Sequence, residues 1–180
     1  MYKALHLTIK PSVIESSKAL KISTDLFEFG ETTLSKFEIS DIRYGIKAIR
    51  GYRFRIGRIY CIDVKSVTGT IVKIRLKSLY GIRKTKLEEK YKLILKALFE
   101  NYFNDISTAF MDYYYSQREF DIAGVKFTEL GIYLSKSGNI ITWNDLGSKT
   151  YRSYYSLFPI GNPLFHRTFQ YLTDWNTVLL

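Results

Sequence analysis

The hydrophobic period of this chain changes near Lys86, from two to about three and a half, and that change restricts it to a design in which sheet precedes a long helix. Over residues 52–65, Phe54, Ile56, Tyr60, Ile62 and Val64 share one parity while Arg53, Arg55, Asp63 and Lys65 share the other. This alternation predicts a half-buried strand. Gly57 and Arg58 interrupt it, which suggests a bulge. After a turn through Gly69, Val72, Ile74 and Leu76 alternate with Lys73, Arg75 and Lys77, giving an antiparallel pair with a basic outer face. From Lys86 onward Leu87, Tyr91, Ile94, Leu98, Tyr102, Ile106, Phe110 and Tyr113 recur at helical spacing. Thr85 followed by Glu88 marks the helix start as a capping box.

Other strands read less sharply. Residues 18–29 predict a first strand ending at Gly30, and residues 36–42 a second. Strand character returns after Ser116, over 125–134 and again over 140–143, with turns at Ser137-Gly138-Asn139 and Asn144-Asp145. A weak internal repeat follows: residues 37–42, with Asp41 then Ile42, line up with residues 140–146, with Asp145 then Leu146.

This order of elements resembles the bacterial pleckstrin-homology-like domain, a bent antiparallel sheet closed at one end by a C-terminal helix. The resemblance implies an α+β, mostly antiparallel fold: a barrel closed by a long amphipathic helix over residues 1–117, then a partial second copy over 118–180. The second copy reaches Leu180 without the expected closing helix. Either the chain is a piece of a longer one, or the second unit borrows its cover from the first helix. The apolar end Val178-Leu179-Leu180 suggests a face covered by a dimer or an interdomain contact.

Chemistry-bearing motifs are few. His6 and His166 are the only histidines, and neither has a metal-ligand neighbour at helical spacing, so no metal site is expected. The chain lacks a nucleophile elbow, a phosphate-cradling loop and a dinucleotide fingerprint. Asp41, Asp145 and Asp174 are acids in apolar context, better read as turn caps than as a catalytic pair. No catalytic residue and no cofactor are expected. Cys61, the single cysteine, offers no internal disulfide and fits a reducing cytoplasm. Neither a signal peptide nor a membrane span is read.

Basic residues carry the strongest functional hint. The net charge is +10, a field that attracts phosphates, anionic lipid or acidic proteins. Arg43, Lys47, Arg50, Arg53, Arg55 and Arg58 follow one another without an acid. In lipid-binding pleckstrin-homology domains a lysine before a loop and a basic-x-arginine on the next strand hold inositol phosphates, and Lys47 with Arg53-Phe54-Arg55 resembles that layout. Arg53 and Arg55 are expected on one strand face. A second group, Arg83, Lys84 and Lys86, stands at the helix entrance, where the dipole favours anions. These could join Lys73, Arg75 and Lys77 in one continuous surface. The aromatic runs over 151–158 and 169–175 allow a single-strand stacking platform, but core packing explains them more simply. The sequence thus reads as a non-catalytic, cytoplasmic adaptor for an unknown protein partner. The alternative is a binder of anionic membrane surface or nucleic acid; a homodimer is compatible with either.

Overall fold

The computed structural model describes residues 4–10, 16–134 and 138–177, and the chain divides into two compact units, Met1–Ile106 and Ser107–Leu180. The first unit opens with an antiparallel meander of four strands in chain order: β1 (Leu5–Ile9), β2 (Lys18–Ile22), β3 (Leu26–Phe29) and β4 (Thr32–Ser35). The segment read as one strand over 18–29 is therefore a hairpin. Ser23 explains the break: its hydroxyl donates to the Leu26 carbonyl at 3.0 Å, which turns the chain. Leu20 lies opposite Phe29, and Phe27 opposite both Ile22 and Leu34. All five are buried, so cross-strand pairs build one apolar face. Strand β1 is absent from the sequence-based reading.

A 3₁₀ turn at Lys36–Glu38 leads into β5 (Ile39–Arg50), β6 (Arg55–Ser66) and β7 (Ile71–Leu79), a second antiparallel meander. The strand expected over 36–42 thus begins only at Ile39. Its start is delayed because the Glu38 carboxylate accepts the Ser35 backbone N–H at 2.7 Å; the Ser35 side chain first, and this backbone bond after it, hold Glu38 below its ordinary carboxylate range. Pairing of β6 with β7 runs unbroken from Gly57 to Lys65. The irregularity lies instead between β5 and β6, where Ile49 pairs with Gly57 but Arg50 with Arg55, leaving Ile56 as the extra residue.

Helix α1 (Lys84–Leu98) continues through a π-helical turn at Phe99–Phe103 into α2 (Asn104–Gln117). Its start departs from the expected capping box: Arg83 is the N-cap, in the left-handed region and with no side-chain cap bond. Glu88 faces the sheet, 3.5 Å from the Tyr60 hydroxyl. Tyr91, Ile94, Leu98, Tyr102 and Ile106 are buried as the period predicts. Tyr91 packs on Tyr60 with ring centroids 5.2 Å apart, on the face that carries Ile74 and Leu76. Tyr102 meets the first meander instead: its hydroxyl lies 2.8 Å from the carbonyls of Ser23 and Leu26, in the β2–β3 turn. The helical segment therefore bears on both meanders of the first unit.

The stripe ends on Tyr114 and not on Tyr113. Tyr113 is exposed, and Tyr114 instead packs beside Phe120 at 5.6 Å. Tyr114 stands four residues after Phe110, one turn along the same face, and both rings meet Phe120.

The second unit contains β8 (Glu119–Ile122), β9 (Val125–Thr128), β10 (Gly131–Tyr133) and β11 (Ile141–Thr142) as one antiparallel sheet. A 3₁₀ turn at Trp143–Asp145 then leads to the three-stranded sheet of β12 (Leu146–Thr150), β13 (Tyr154–Pro159) and β14 (Arg167–Gln170). The strand expected over 125–134 is again a hairpin, with Gly131 at its bend. A Cβ on Gly131 would lie 2.0 Å from the Ile141 carbonyl oxygen, so the neighbouring strand requires glycine there. Phe127, Ile132, Leu157 and Phe169 centre the core, and Phe110 of α2 packs against it. Helix α2, assigned from the sequence to the first unit, thus contributes cover to the second. Arg167 ties the two sheets of this unit: its guanidinium donates to the carbonyls of Ala123 at 2.6 Å, Gly124 at 2.9 Å and Leu134 at 2.8 Å. Val178-Leu179-Leu180 lies outside the described residues.

The α+β class and the antiparallel sheets match expectation; the closed barrel does not. Four open sheets are present among the described residues, because the 3₁₀ turns separate each four-stranded sheet from the three-stranded sheet that follows it. Among the described residues no helix is long and apolar enough to cross a membrane.

Candidate functional site: a basic end of the first unit

Side-chain parity divides the β5–β6–β7 sheet into two chemically different faces. Ile42, Ile62, Val64, Val72, Ile74 and Leu76 occupy the helix-covered face and are buried. The other face carries Arg43, Lys47, Lys65, Lys73, Arg75 and Lys77. Asp63 sits among these cations, only 4% exposed. Arg43 Nε donates to its Oδ2 at 2.9 Å, and Arg75 Nη1 lies 2.5 Å from Oδ1. Arg75 Nη1 also donates to the Ile62 and Ile74 carbonyls, so its contact with Oδ1 is coulombic rather than a directed bond. β6 is accordingly buried on both faces at its centre, not on one as its alternation suggests. Cys61 lies beside this cluster, and burial pushes its thiol up, away from thiolate chemistry.

This geometry corrects two expectations. Arg43 belongs to a run without acids in sequence, yet its strand partner across the ladder is Asp63. Lys73, Arg75 and Lys77 lie on the face opposite the helix, so they do not continue into the helix entrance as one surface.

A different grouping forms where β6 begins and β7 runs into α1. Arg55, Ile56, Gly57 and Arg58 line one side of an open depression of about 150 Å³, and Ser78, Tyr80, Gly81 and Lys84 line the other. Three cations, Arg55, Arg58 and Lys84, converge there from two regions of sequence. Close strand approach makes the juncture possible: a Cβ on Gly57 would stand 2.3 Å from the Ser78 carbonyl oxygen. The Tyr80 N–H donates to the Ile56 carbonyl at 2.7 Å, and the Ser78 hydroxyl to the Ile82 carbonyl at 3.0 Å. Tyr80, Gly81 and Arg83 all adopt positive φ, so the chain reverses tightly and brings Lys84 back over the end of β6.

The remaining candidates distribute around this end. Arg50 ends β5, and Lys47 is exposed on the face opposite the helix. Arg53 lies in the β5–β6 turn and not on the strand, with its guanidinium 5.4 Å from the Tyr52 ring centroid, so it does not share a strand face with Arg55. Arg83 and Lys86 are exposed at the start of α1, whose first turn holds no acid. The positive end of the helix is therefore met by more positive charge, an arrangement that an anion would relieve.

No protein-family model matches the chain, and neither a curated protein nor a solved structure resembles it significantly.

One sequence signal for this site goes beyond the two basic groups. Between Ile42 and Leu87 the chain carries 13 Lys and Arg residues and one acid, Asp63. Since the chain as a whole is +10, this segment at +12 leaves the remainder at −2. The basicity is thus local to one sheet and one helix entrance, not a general property of the surface.

The acids singled out from sequence act locally. Asp174 accepts the Gln170 N–H at 2.7 Å, and Asp145 accepts the Thr142 hydroxyl at 2.8 Å, both closing turns. Asp41 departs from the turn-cap reading: it lies within β5 and pairs with Lys65 at 3.1 Å. His166 Nδ1 lies 3.1 Å from the Leu164 carbonyl. Among the described residues no three His, Cys, Asp or Glu side chains gather as a metal site requires. Of the aromatic runs, Phe169 is core, while Tyr151 and Tyr154 stack at 4.4 Å in the β12–β13 turn.

Proposed function

We propose that this protein is a non-catalytic binding module whose first unit holds a phosphate-bearing ligand in the depression between Arg55, Arg58 and Lys84. The convergence of these three cations carries the reading. Two of them are arginines, which suit bidentate contact with phosphate oxygens. The strand ends that hold them are fixed by the Gly57 approach and by the left-handed turn before α1. A heparin column tests it. The variant Arg55→Glu/Arg58→Glu/Lys84→Glu should lose retention at low salt, whereas Lys18→Glu/Lys92→Glu/Lys96→Glu, with the same net charge, should stay bound. Equal loss in both would reduce the effect to net charge and overturn the proposal.

A second reading, an adaptor built from one complete and one partial pleckstrin-homology-like unit, is favoured by a specific equivalence. Each unit runs as four strands, a 3₁₀ turn and three strands. The Glu38 carbonyl accepts the Val67 N–H, and the Asp145 carbonyl accepts the Ile160 N–H, each at 2.8 Å. On this equivalence Asp145 corresponds to Glu38 and not, as the sequence alignment had it, to Asp41. The exposed Ile160, Leu164 and Phe165 of the β13–β14 loop would then serve a protein partner. Loss of a captured partner on Leu164→Ser/Phe165→Ser, with heparin retention unchanged, distinguishes this reading.

A further inference from the structure

Two loop tips flank the basic depression, and both present apolar side chains to solvent. In the β5–β6 turn, closed by the Gly51 N–H on the Phe54 carbonyl at 2.8 Å, Tyr52 is 93% exposed and Phe54 66%. In the β7–α1 turn Tyr80 is 74% exposed and Ile82 64%. The bond from the Tyr80 N–H to the Ile56 carbonyl keeps the second tip beside the start of β6, just past the first. Large apolar groups on protruding turns cost solvation with no packing in return, so they call for a medium that receives them.

We infer that this end of the first unit docks on an anionic phospholipid surface, with Tyr52, Phe54, Tyr80 and Ile82 entering the headgroup region and Arg50, Arg53, Arg55, Arg58 and Lys84 meeting lipid phosphates. The inference rests on the anion-binding reading above and names the source of the phosphate. Charge complementarity selects an acidic surface: the only acid between Ile42 and Leu87 is Asp63, which is buried and engaged by Arg43 and Arg75. Phenol rings suit the polar boundary of a bilayer, where one edge stays wet. Ile82, and the half-exposed Leu79 beside it, decide against a nucleic acid. An aliphatic side chain offers no face on which a base stacks, but hydrocarbon accepts it.

Sedimentation with vesicles provides the test, using phosphatidylcholine alone and phosphatidylcholine mixed with phosphatidylserine. The full chain should bind the mixed vesicles and not the neutral ones. Tyr52→Ser/Phe54→Ser and Ile82→Ser alter only exposed side chains outside the depression. Each variant should weaken vesicle binding, the double one by about tenfold or more, while leaving heparin retention unchanged. Unchanged vesicle binding in both variants overturns insertion. Heparin retention without any binding to acidic vesicles overturns the lipid surface but spares the phosphate site. Absence of heparin retention removes both. Tighter binding to a single-stranded oligonucleotide than to acidic vesicles at equal phosphate, lost in the Tyr52/Phe54 variant, overturns the inference in favour of nucleic acid.

Discussion

Asp63 illustrates how one residue settles the chemistry of a sheet face. A carboxylate buried between two arginines is held by charge and by the Arg43 hydrogen bond, and its removal leaves two guanidinium groups crowded together. Asp63→Asn should lower stability by about 2–4 kcal/mol, since breaking a buried pair costs more than the pair contributes. Asp41→Asn, which loses a more exposed partner in Lys65, should cost about 0–1 kcal/mol. Urea unfolding of both variants checks the contrast. Tyr91 and Tyr102 supply a pH-dependent counterpart. Burial pushes both phenols above their ordinary value of 10.0, so the unfolded chain releases these protons first as the pH rises. Their contribution to stability is complete below that ordinary value and declines as the pH climbs beyond it toward the folded values. Urea midpoints should therefore fall above about pH 10, and Tyr91→Phe should flatten the fall.

Among the elements, the helical segment shows where sequence periodicity succeeds and where it stops. The spacing of Tyr91, Ile94, Leu98, Tyr102 and Ile106 was legible because a helix repeats the same face every turn. The choice between Tyr113 and Tyr114 was not legible, because positions three and four after Phe110 both lie near one helix face and only the ring of Phe120 selects between them. Tyr114→Ala should destabilise the second unit by about 1–2 kcal/mol through the lost Phe120 contact, and Tyr113→Ala by less than about 0.5 kcal/mol. Thermal unfolding compares them directly. Strand boundaries failed for a related reason. Residues 18–29 and 125–134 each read as one apolar run, but a tight turn needs only a few residues and can hide inside such a run. Arg167, which ties the two sheets of the second unit through three carbonyls, gave no sequence signal, because its partners lie more than 30 residues away.

At the scale of the whole molecule the net charge is a local matter, concentrated between Ile42 and Leu87. Association through such a segment releases counterions, so retention on an anionic matrix should fall steeply as salt is raised. A column run at stepped sodium chloride checks this, and a shallow dependence would point to an apolar contact instead. The α+β class, the antiparallel strands, the long helix and the basic segment were all determined by the sequence itself, because periodicity and composition are properties of neighbouring residues. Only the tertiary structure decided which cations lie together. Ladder register set Arg43 against Asp63, and strand parity turned Lys73, Arg75 and Lys77 away from the helix. The left-handed turn at Tyr80 to Arg83 carried Lys84 to Arg55 and Arg58. Register, parity and chain reversal depend on backbone bonds between residues distant in sequence, and no local pattern encodes where those bonds close.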